Sequence, residues 1–328
     1  MVNSFASSVT ARTTVVVHRE LSRHHEVRLV ETSRRGHATR FARDAARRGL
    51  DAVIAFGGDG TLNEVANGLA DTETALGIIP GGSTNVFART IGLPNDPVAA
   101  AGLIASGLDA AADDPATLAP IGLGRVNGRY FCFHTGVGYD AAVVERVERA
   151  GAMKRWLGHP LFINAAVSTW VRSYRRDPVT FEVSARRDGL EVGAGRGCFC
   201  VVLNTDPYTY LGNRPLSVST DAALDRGLVA ICFHDLDARA LLATVTAALR
   251  GNGLGGGDHL SEWIDLDRVE IRAETPVPYQ LDGDHLGDTG ALEFSHAPDA
   301  VRLLRPGPQG SEESSGDAPS STDRARSG

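Results

Sequence analysis

Residues 52–69 read AVIAFGGDGTLNEVANGL: an apolar strand, three glycines around one aspartate, then a helix start. A glycine-rich turn between strand and helix brings backbone N–H groups close to an anion, because no Cβ intervenes and the helix N-terminus favours negative charge. The spacing is neither GxxxxGK[ST], since no lysine follows, nor GxGxxG. Asp59 would repel a bare phosphate, so a cation has to stand between them. The simplest arrangement is Mg²⁺ held by Asp59, directly or through water, beside the phosphates of a nucleotide. An Asx-type turn capping the helix is the structural alternative.

A second loop repeats the grammar. Residues 78–89, IIPGGSTNVFAR, run strand, Pro80, Gly81, Gly82, Ser83, Thr84, Asn85, helix. Open α/β sheets bind ligands at the carboxyl ends of neighbouring parallel strands, where two such loops form one phosphate cradle. Taken singly, Ser83, Thr84 and Asn85 are equally ordinary helix N-caps. A third feature lies far along the chain, in PVPYQLDGDHLGD (276–288), where a strand enters the turn Asp282-Gly283-Asp284. Asp-Gly is a preferred hairpin dipeptide, so a plain turn is the bland reading. Beside a phosphate site, a carboxylate here can accept the proton of an attacking hydroxyl.

Around these loops, strands and helices alternate. EVRLVET reads as a strand, HATRFARDAARRGL as an amphipathic helix, DAVIAF as a buried strand and TLNEVANGLA as a helix. ALGIIP is a further strand, and NVFARTIG and DPVAAAGLIASG are helices. The pattern predicts an α/β domain with a Rossmann-like parallel sheet over residues 1–117. Only Met1 and Val2 precede Asn3, so the first strand of such a sheet reads as clipped, as it would if the true start lay upstream. After residue 118 come β-rich runs: APIGLGRV, RYFCFHTGV, PVTFEVSARR, RGCFCVVLN, GLVAICF, RVEIRAE, ALEFSHA and AVRLLR. They predict a mostly antiparallel β-sandwich over 118–297, with helical insertions near 139–174 and 236–250. A strand at 298–305 is expected to pack back on the first domain. Residues 306–328 hold almost nothing apolar and read as a disordered tail.

Composition narrows the class. The 328 residues are 42% hydrophobic and 22% charged, the mix of a globular protein rather than a fibrous or disordered one. No run of about twenty apolar residues marks a transmembrane helix, and MVNSFASSVTAR lacks the pattern of a signal peptide. Cys132, Cys198, Cys200 and Cys232 have no CxxC spacing and read as buried reduced thiols, with Cys198 and Cys200 on one strand face. A cytoplasmic protein is expected. The net charge is −7, yet the first fifty residues carry ten arginines against Glu20, Glu26, Glu31 and Asp44. That segment suits phosphates or an anionic membrane surface, or is simply a solvated helix face. Lys154 is the only lysine, a hint of a specific need in a chain that otherwise uses arginine.

The three features, in this order, resemble the catalytic domain of soluble diacylglycerol kinases, sphingosine kinases and related bacterial lipid kinases. GGDGTLNEVANGL is similar nearly letter for letter to that family's hallmark, and PGGSTNVFARTIGLP to its P-x-G-T-x-N-x-x-A-R loop, in wording nearest to actinobacterial members. VNSFASSVT resembles the opening N-P-x-x-G segment with Ser4 for proline, and TSRRGHATRFAR the threonine and Gly-His-Ala helix start. GVGYDAAVVERV, MKRWLGHPLF and QLDGDHLG follow in sequence.

The resemblance implies ATP phosphates cradled by Gly57, Gly58, Gly60, Thr61 and Gly82 with Ser83, Thr84 and Asn85, and Asn3 and Thr32 near the nucleotide. It implies Asp59 organising Mg²⁺, Asp140 and Lys154 on the lipid side, and Asp284 as general base where the family has glutamate. Val86 stands where some members have an acidic residue. Arg226 stands where some relatives carry an aspartate for a structural Mg²⁺, so that metal is expected to be absent or replaced by the guanidinium.

The expected activity is ATP-dependent phosphorylation of the hydroxyl of diacylglycerol or a related lipid, giving a phospholipid such as phosphatidic acid. Residues 154–174 either line an acyl groove, rest on the membrane or form a core helix. The expected partners are a lipid substrate and, transiently, the inner membrane face. A homodimer is allowed because relatives often pair, and no nucleic acid is expected. The rival readings are an enzyme like NAD kinase, which shares the GGDG loop but not the second motif, and a lipid or nucleotide sensor without catalysis.

Overall fold

The computed structural model describes residues 1–149, 179–237, 244, 246–251, 253–254 and 258–306. The chain begins with α1 (Ala11–Leu21), started by a reciprocal Thr10–Thr13 capping box that the apolar periodicity did not announce. Then come α2 (His37–Arg47), β1 (Ala52–Gly57), α3 (Asp59–Leu69), β2 (Ala75–Pro80), the short α4 (Val86–Thr90) and α5 (Pro97–Asp113). Asp96 caps α5 by accepting from the amides of Val98 and Ala99, with Pro97 at the first helical position, where its missing N–H costs nothing. The β-rich half follows as β3 (Leu118–Val126), β4 (Arg129–Phe131), β5 (His134–Gly138), α6 (Tyr139–Arg149), β6 (Phe181–Arg187), β7 (Leu190–Gly197) and β8 (Phe199–Leu203). It ends with β9 (Thr209–Leu211), β10 (Arg214–Leu216), β11 (Leu228–Phe233), β12 (Leu260–Leu266), β13 (Arg268–Leu281) and β14 (Asp284–Leu304).

β1 and β2 pair in parallel from Ala52↔Ala75 to Gly57↔Pro80, so their following loops leave the sheet at the same level. The next neighbour of β2 is the far end of β14, through Leu303↔Leu76 in parallel. β14 runs on antiparallel to β3 and β13, and one hydrogen-bonded path, β1-β2-β14-β13-β5-β8-β11-β12, crosses the molecule. An α/β layer joined to an antiparallel strand-rich half is thus the architecture the alternation predicted. β9 and β10 form a separate two-stranded ribbon.

Core packing explains the strand sequences. Leu76, Ile78 and Ile79 of β2 lie between helices with Val65, Leu69 and Ile104. In the second half, Cys200 and Val202 with Ala230 and Cys232 face one core, while Val201, Leu203, Val229 and Ile231 face another that includes Tyr139 and Val143. Burial on both faces is why CFCVVL and LVAICF are unbroken apolar runs rather than alternating ones.

Two expectations need correction. EVRLVET forms no strand: Val2 makes single parallel bridges to Glu31 and Phe56, then the chain turns at Asn3–Ala6, so the ladder has no further rung. Cys198 and Cys200 do not share a core, because Cys198 precedes β8 and packs in the cluster of Tyr139 and Val143. All four cysteines are buried and free.

Candidate active site

The two glycine loops touch backbone to backbone. The Gly81 amide donates to the Gly57 carbonyl at 2.7 Å. A Cβ on Gly82 would come within 2.7 Å of the Gly58 Cα, and one on Gly81 within 3.0 Å of the Gly57 Cα. Only paired glycines permit this approach. Gly58 is the extended N-cap of α3 and offers no side chain to its first amides, while a Cβ on Gly60 would meet no atom within 4 Å. The first turn of α3 therefore keeps donors that the helix itself cannot use.

Polar side chains of the two motifs fix this geometry. Asp59 accepts from the amides of Val86 (3.1 Å) and Phe87 (3.3 Å), so the carboxylate of the first loop caps the helix of the second. Burial raises its pKa, opposed by those backbone hydrogen bonds. Asn85 is left-handed (φ 49°); its Oδ1 accepts from the Gly82 amide at 2.8 Å, and its Nδ2 donates to the Gly82 carbonyl and to Asn95 Oδ1. Asn3 donates to Thr61 Oγ1 at 2.9 Å, and the buried Thr32 is held on the Val2 carbonyl. Asn85 and Thr32 thus shape the loops with the side chains expected to meet the nucleotide. Ser83 and Thr84 make no hydrogen bond among the described residues, and Ser83 is exposed.

α3 connects the loops to the rest of the site through residues that the motif reading passed over. Asn63 donates to Asp282 Oδ2 at 2.8 Å and to the Tyr130 carbonyl at 2.9 Å. Asn67 exchanges two hydrogen bonds with the backbone of Tyr130. Glu64 accepts from the amides of Gly36 (2.7 Å) and Ala38 (3.0 Å), capping α2. The available signal was a pair of amides, Asn63 and Asn67, four apart and therefore on one face of the helix.

The LDGD segment is a two-residue hairpin: Asp282 and Gly283 have φ of 48° and 84°, and Leu281 pairs with Asp284. Positive φ at both central positions is what makes Asp-Gly suit this turn. Asp282 is buried and accepts from the amides of Cys132 (2.7 Å), Phe133 (3.0 Å) and His134 (3.2 Å), as well as from Asn63. Those amides turn toward one carboxylate between β4 and β5, which is why RYFCFHTGV is two strands and not one. Burial pushes the Asp282 pKa up to about 6 against these donors. Asp284 is free of that knot; its Oδ1 lies 3.3 Å from Arg35 of the first domain.

Asp140 is the second residue of α6 and its side chain is not described; Lys154 lies outside the described residues. Arg226 pairs with Asp221 at 3.1 Å. Among the described residues no group of three His, Cys, Asp or Glu side chains could hold a metal ion.

Comparison with known proteins bears on the family of the chain. The family model described as the diacylglycerol kinase catalytic domain matches residues 1–115. A diacylglycerol kinase of Bacillus subtilis (strain 168) is 43% identical over 255 residues, 77% of each chain. A Pseudomonas aeruginosa (strain UCBPP-PA14) protein described as "Probable lipid kinase YegS-like" is 29% identical over 312 residues, 92% of this chain and 91% of its own. The crystal structure of a diacylglycerol kinase from Bacillus anthracis str. Sterne superposes with a TM-score of 0.65, covering 93% of this chain and 94% of that one at 20% identity, a likeness of fold. With glycine loops, helix and hairpin in the family's order and a relative of that identity and coverage, the chain belongs to the family of diacylglycerol and related lipid kinases.

Proposed function

We propose that the protein transfers the γ-phosphoryl group of ATP to the hydroxyl of diacylglycerol or a related lipid, giving a phospholipid such as phosphatidic acid. The observation that carries this reading is the joined pair of glycine loops with a carboxylate hairpin tied to the same helix. The loops fit a polyphosphate: the α3 N-terminus has no side-chain cap, Gly60 leaves room for close approach, and the hydroxyls of Ser83 and Thr84 have no described partner. The residues present fit Mg²⁺ only as an ion that would be carried largely by phosphate and water: no group of three ligands forms among the described residues, and the carboxylate the two loops supply, Asp59, already accepts two amides. Such an ion would offset phosphate charge.

In the chemistry proposed, the backbone of the two loops orients the triphosphate, and Asn3 on Thr61 holds the rim of the cradle. Asp284 accepts the proton of the lipid hydroxyl as the phosphoryl group moves in line. Asp282, locked by four donors, sets where Asp284 stands. Being a methylene shorter than glutamate, Asp284 acts from a strand lying closer to the acceptor or through one water. We read the exposed arginines Arg40, Arg43 and Arg47, spaced along one side of α2, as the face that meets an anionic inner leaflet. No described helix is long and apolar enough to cross a membrane. A peripheral cytoplasmic enzyme fits that arrangement.

The test is transfer of label from [γ-³²P]ATP into a mixed lipid extract. One labelled lipid, identified by mass, is expected. ATP binding without any labelled lipid would leave a sensor in place of an enzyme.

A further inference from the structure

Arg35 is the feature of the site that the loops and the hairpin leave unexplained. It sits in the segment before α2, in the first domain, and its guanidinium Nη2 lies 3.3 Å from Asp284 Oδ1, 249 residues away. The segment is fixed at both ends: the Thr32 amide donates to the Val2 carbonyl, and the Gly36 amide donates to Glu64 on α3. The Arg35 side chain is 74% exposed. An ion pair so open to water adds little to stability, so holding the fold together does not account for it. What the contact does is bring a cation to the oxygen that is to receive the proton.

We propose that Arg35 is a catalytic residue that binds the transferring γ-phosphoryl group, an inference that rests on the kinase reading above. A general base works within about 3 Å of the acceptor hydroxyl, and that oxygen stands about 3–3.5 Å from phosphorus in a near-attack arrangement. A guanidinium already touching the base therefore has the equatorial phosphoryl oxygens within reach of its long side chain. Its planar fork of five donors can hold carboxylate and phosphate together, which a compact ammonium does less well. In the step, the acceptor O–H bond breaks and its proton goes to Asp284. The acceptor oxygen bonds to phosphorus as the bond from phosphorus to the ADP oxygen breaks, its electron pair leaving on ADP. Arg35 offsets the charge on the phosphoryl oxygens throughout.

The test compares ATP with ADP, since only ATP presents the γ-phosphoryl. In calorimetric titrations of the full chain with Mg²⁺ present, Arg35→Gln is expected to weaken ATP binding about 10-fold and ADP binding less than about 2-fold. In lipid phosphorylation its kcat falls about 100-fold or more, with the lipid KM little changed. Arg35→Lys recovers part of the ATP preference. Arg34→Gln removes the same charge one residue away, where the guanidinium meets His37, and leaves the ATP-to-ADP ratio unchanged. A folded Arg35→Gln protein with wild-type ratio and kcat overturns this inference and leaves the kinase reading standing. A wild type that binds neither nucleotide overturns both.

Discussion

The first glycine loop places one aspartate where a strand ends and the LDGD hairpin places two, and the second of that pair is used differently from the other two. Asp59 and Asp282 are drawn inward, each accepting backbone amides from a segment distant in sequence, and burial raises the pKa of both. Asp284, two residues beyond Asp282, stays partly exposed and faces Arg35. The turn makes the division: successive positive φ values at Asp282 and Gly283 send one carboxylate into the protein and leave the other outside. A carboxylate that saturates its oxygens on amides builds the site, and one with oxygens to spare can react.

The sharpest way to break that comparison is to neutralise each aspartate in turn. Asp284→Asn should lower phosphoryl transfer about 1,000-fold, within the range for loss of a general base, with nucleotide affinity kept within about 2-fold. Steady-state kinetics beside titration decide it; loss of both together would place Asp284 in the scaffold instead. Next comes the contact between loops. Gly82→Ala drives a Cβ to 2.7 Å from the Gly58 Cα and 2.9 Å from Asn85 Oδ1. Parting the loops should weaken ATP binding about 10-fold or more and cost about 1–3 kcal/mol of stability. Unchanged binding would show that the loops need not touch.

Asp282 offers a test by pH. Its folded pKa is raised from 3.8 to about 6, so the folded state holds this proton more tightly than the unfolded chain does. That contribution is full below about pH 4 and is lost as pH rises through about 6. Relative to Asp282→Asn, which cannot titrate, the wild type should lose about 2 kcal/mol between pH 4 and pH 7 in denaturant unfolding. A relative stability that is flat or rising over that window would mean Asp282 is not buried as described. The smallest effect belongs to Arg226→Ala: its pair with Asp221 is exposed, and removing it should change stability by less than about 1 kcal/mol. A large Mg²⁺-dependent rise in melting temperature that persists in Asp59→Ala would instead reveal a second metal site.

Much of this molecule is legible in its sequence, for identifiable reasons. The GGDGT and PGGSTN loops announce themselves because close backbone approach admits no side chain but hydrogen, and glycine is visible as a letter. The α/β layer shows because β2 is apolar on both faces and α2 sets buried alanines on one side against charged residues on the other. What stays hidden depends on partners remote in sequence. EVRLVET has strand composition, but its neighbour is Val2 alone, so no ladder forms. Asn63 and Glu64 look like ordinary helix polar residues until Asp282 and the start of α2 come to meet them. Asp282 reads as turn chemistry, which it is, and nothing in the letters DGD reports that its carboxylate ends on the amides of Cys132, Phe133 and His134.

The central claim is that the two loops act as one nucleotide cradle. Amide hydrogen exchange of the full chain, with and without a non-hydrolysable ATP analogue and Mg²⁺, tests it most directly. New protection is expected at residues 58–62 and 82–87 together, with little change in the edge strand β12. Protection of only one loop, or of neither while the analogue binds elsewhere, would contradict the account.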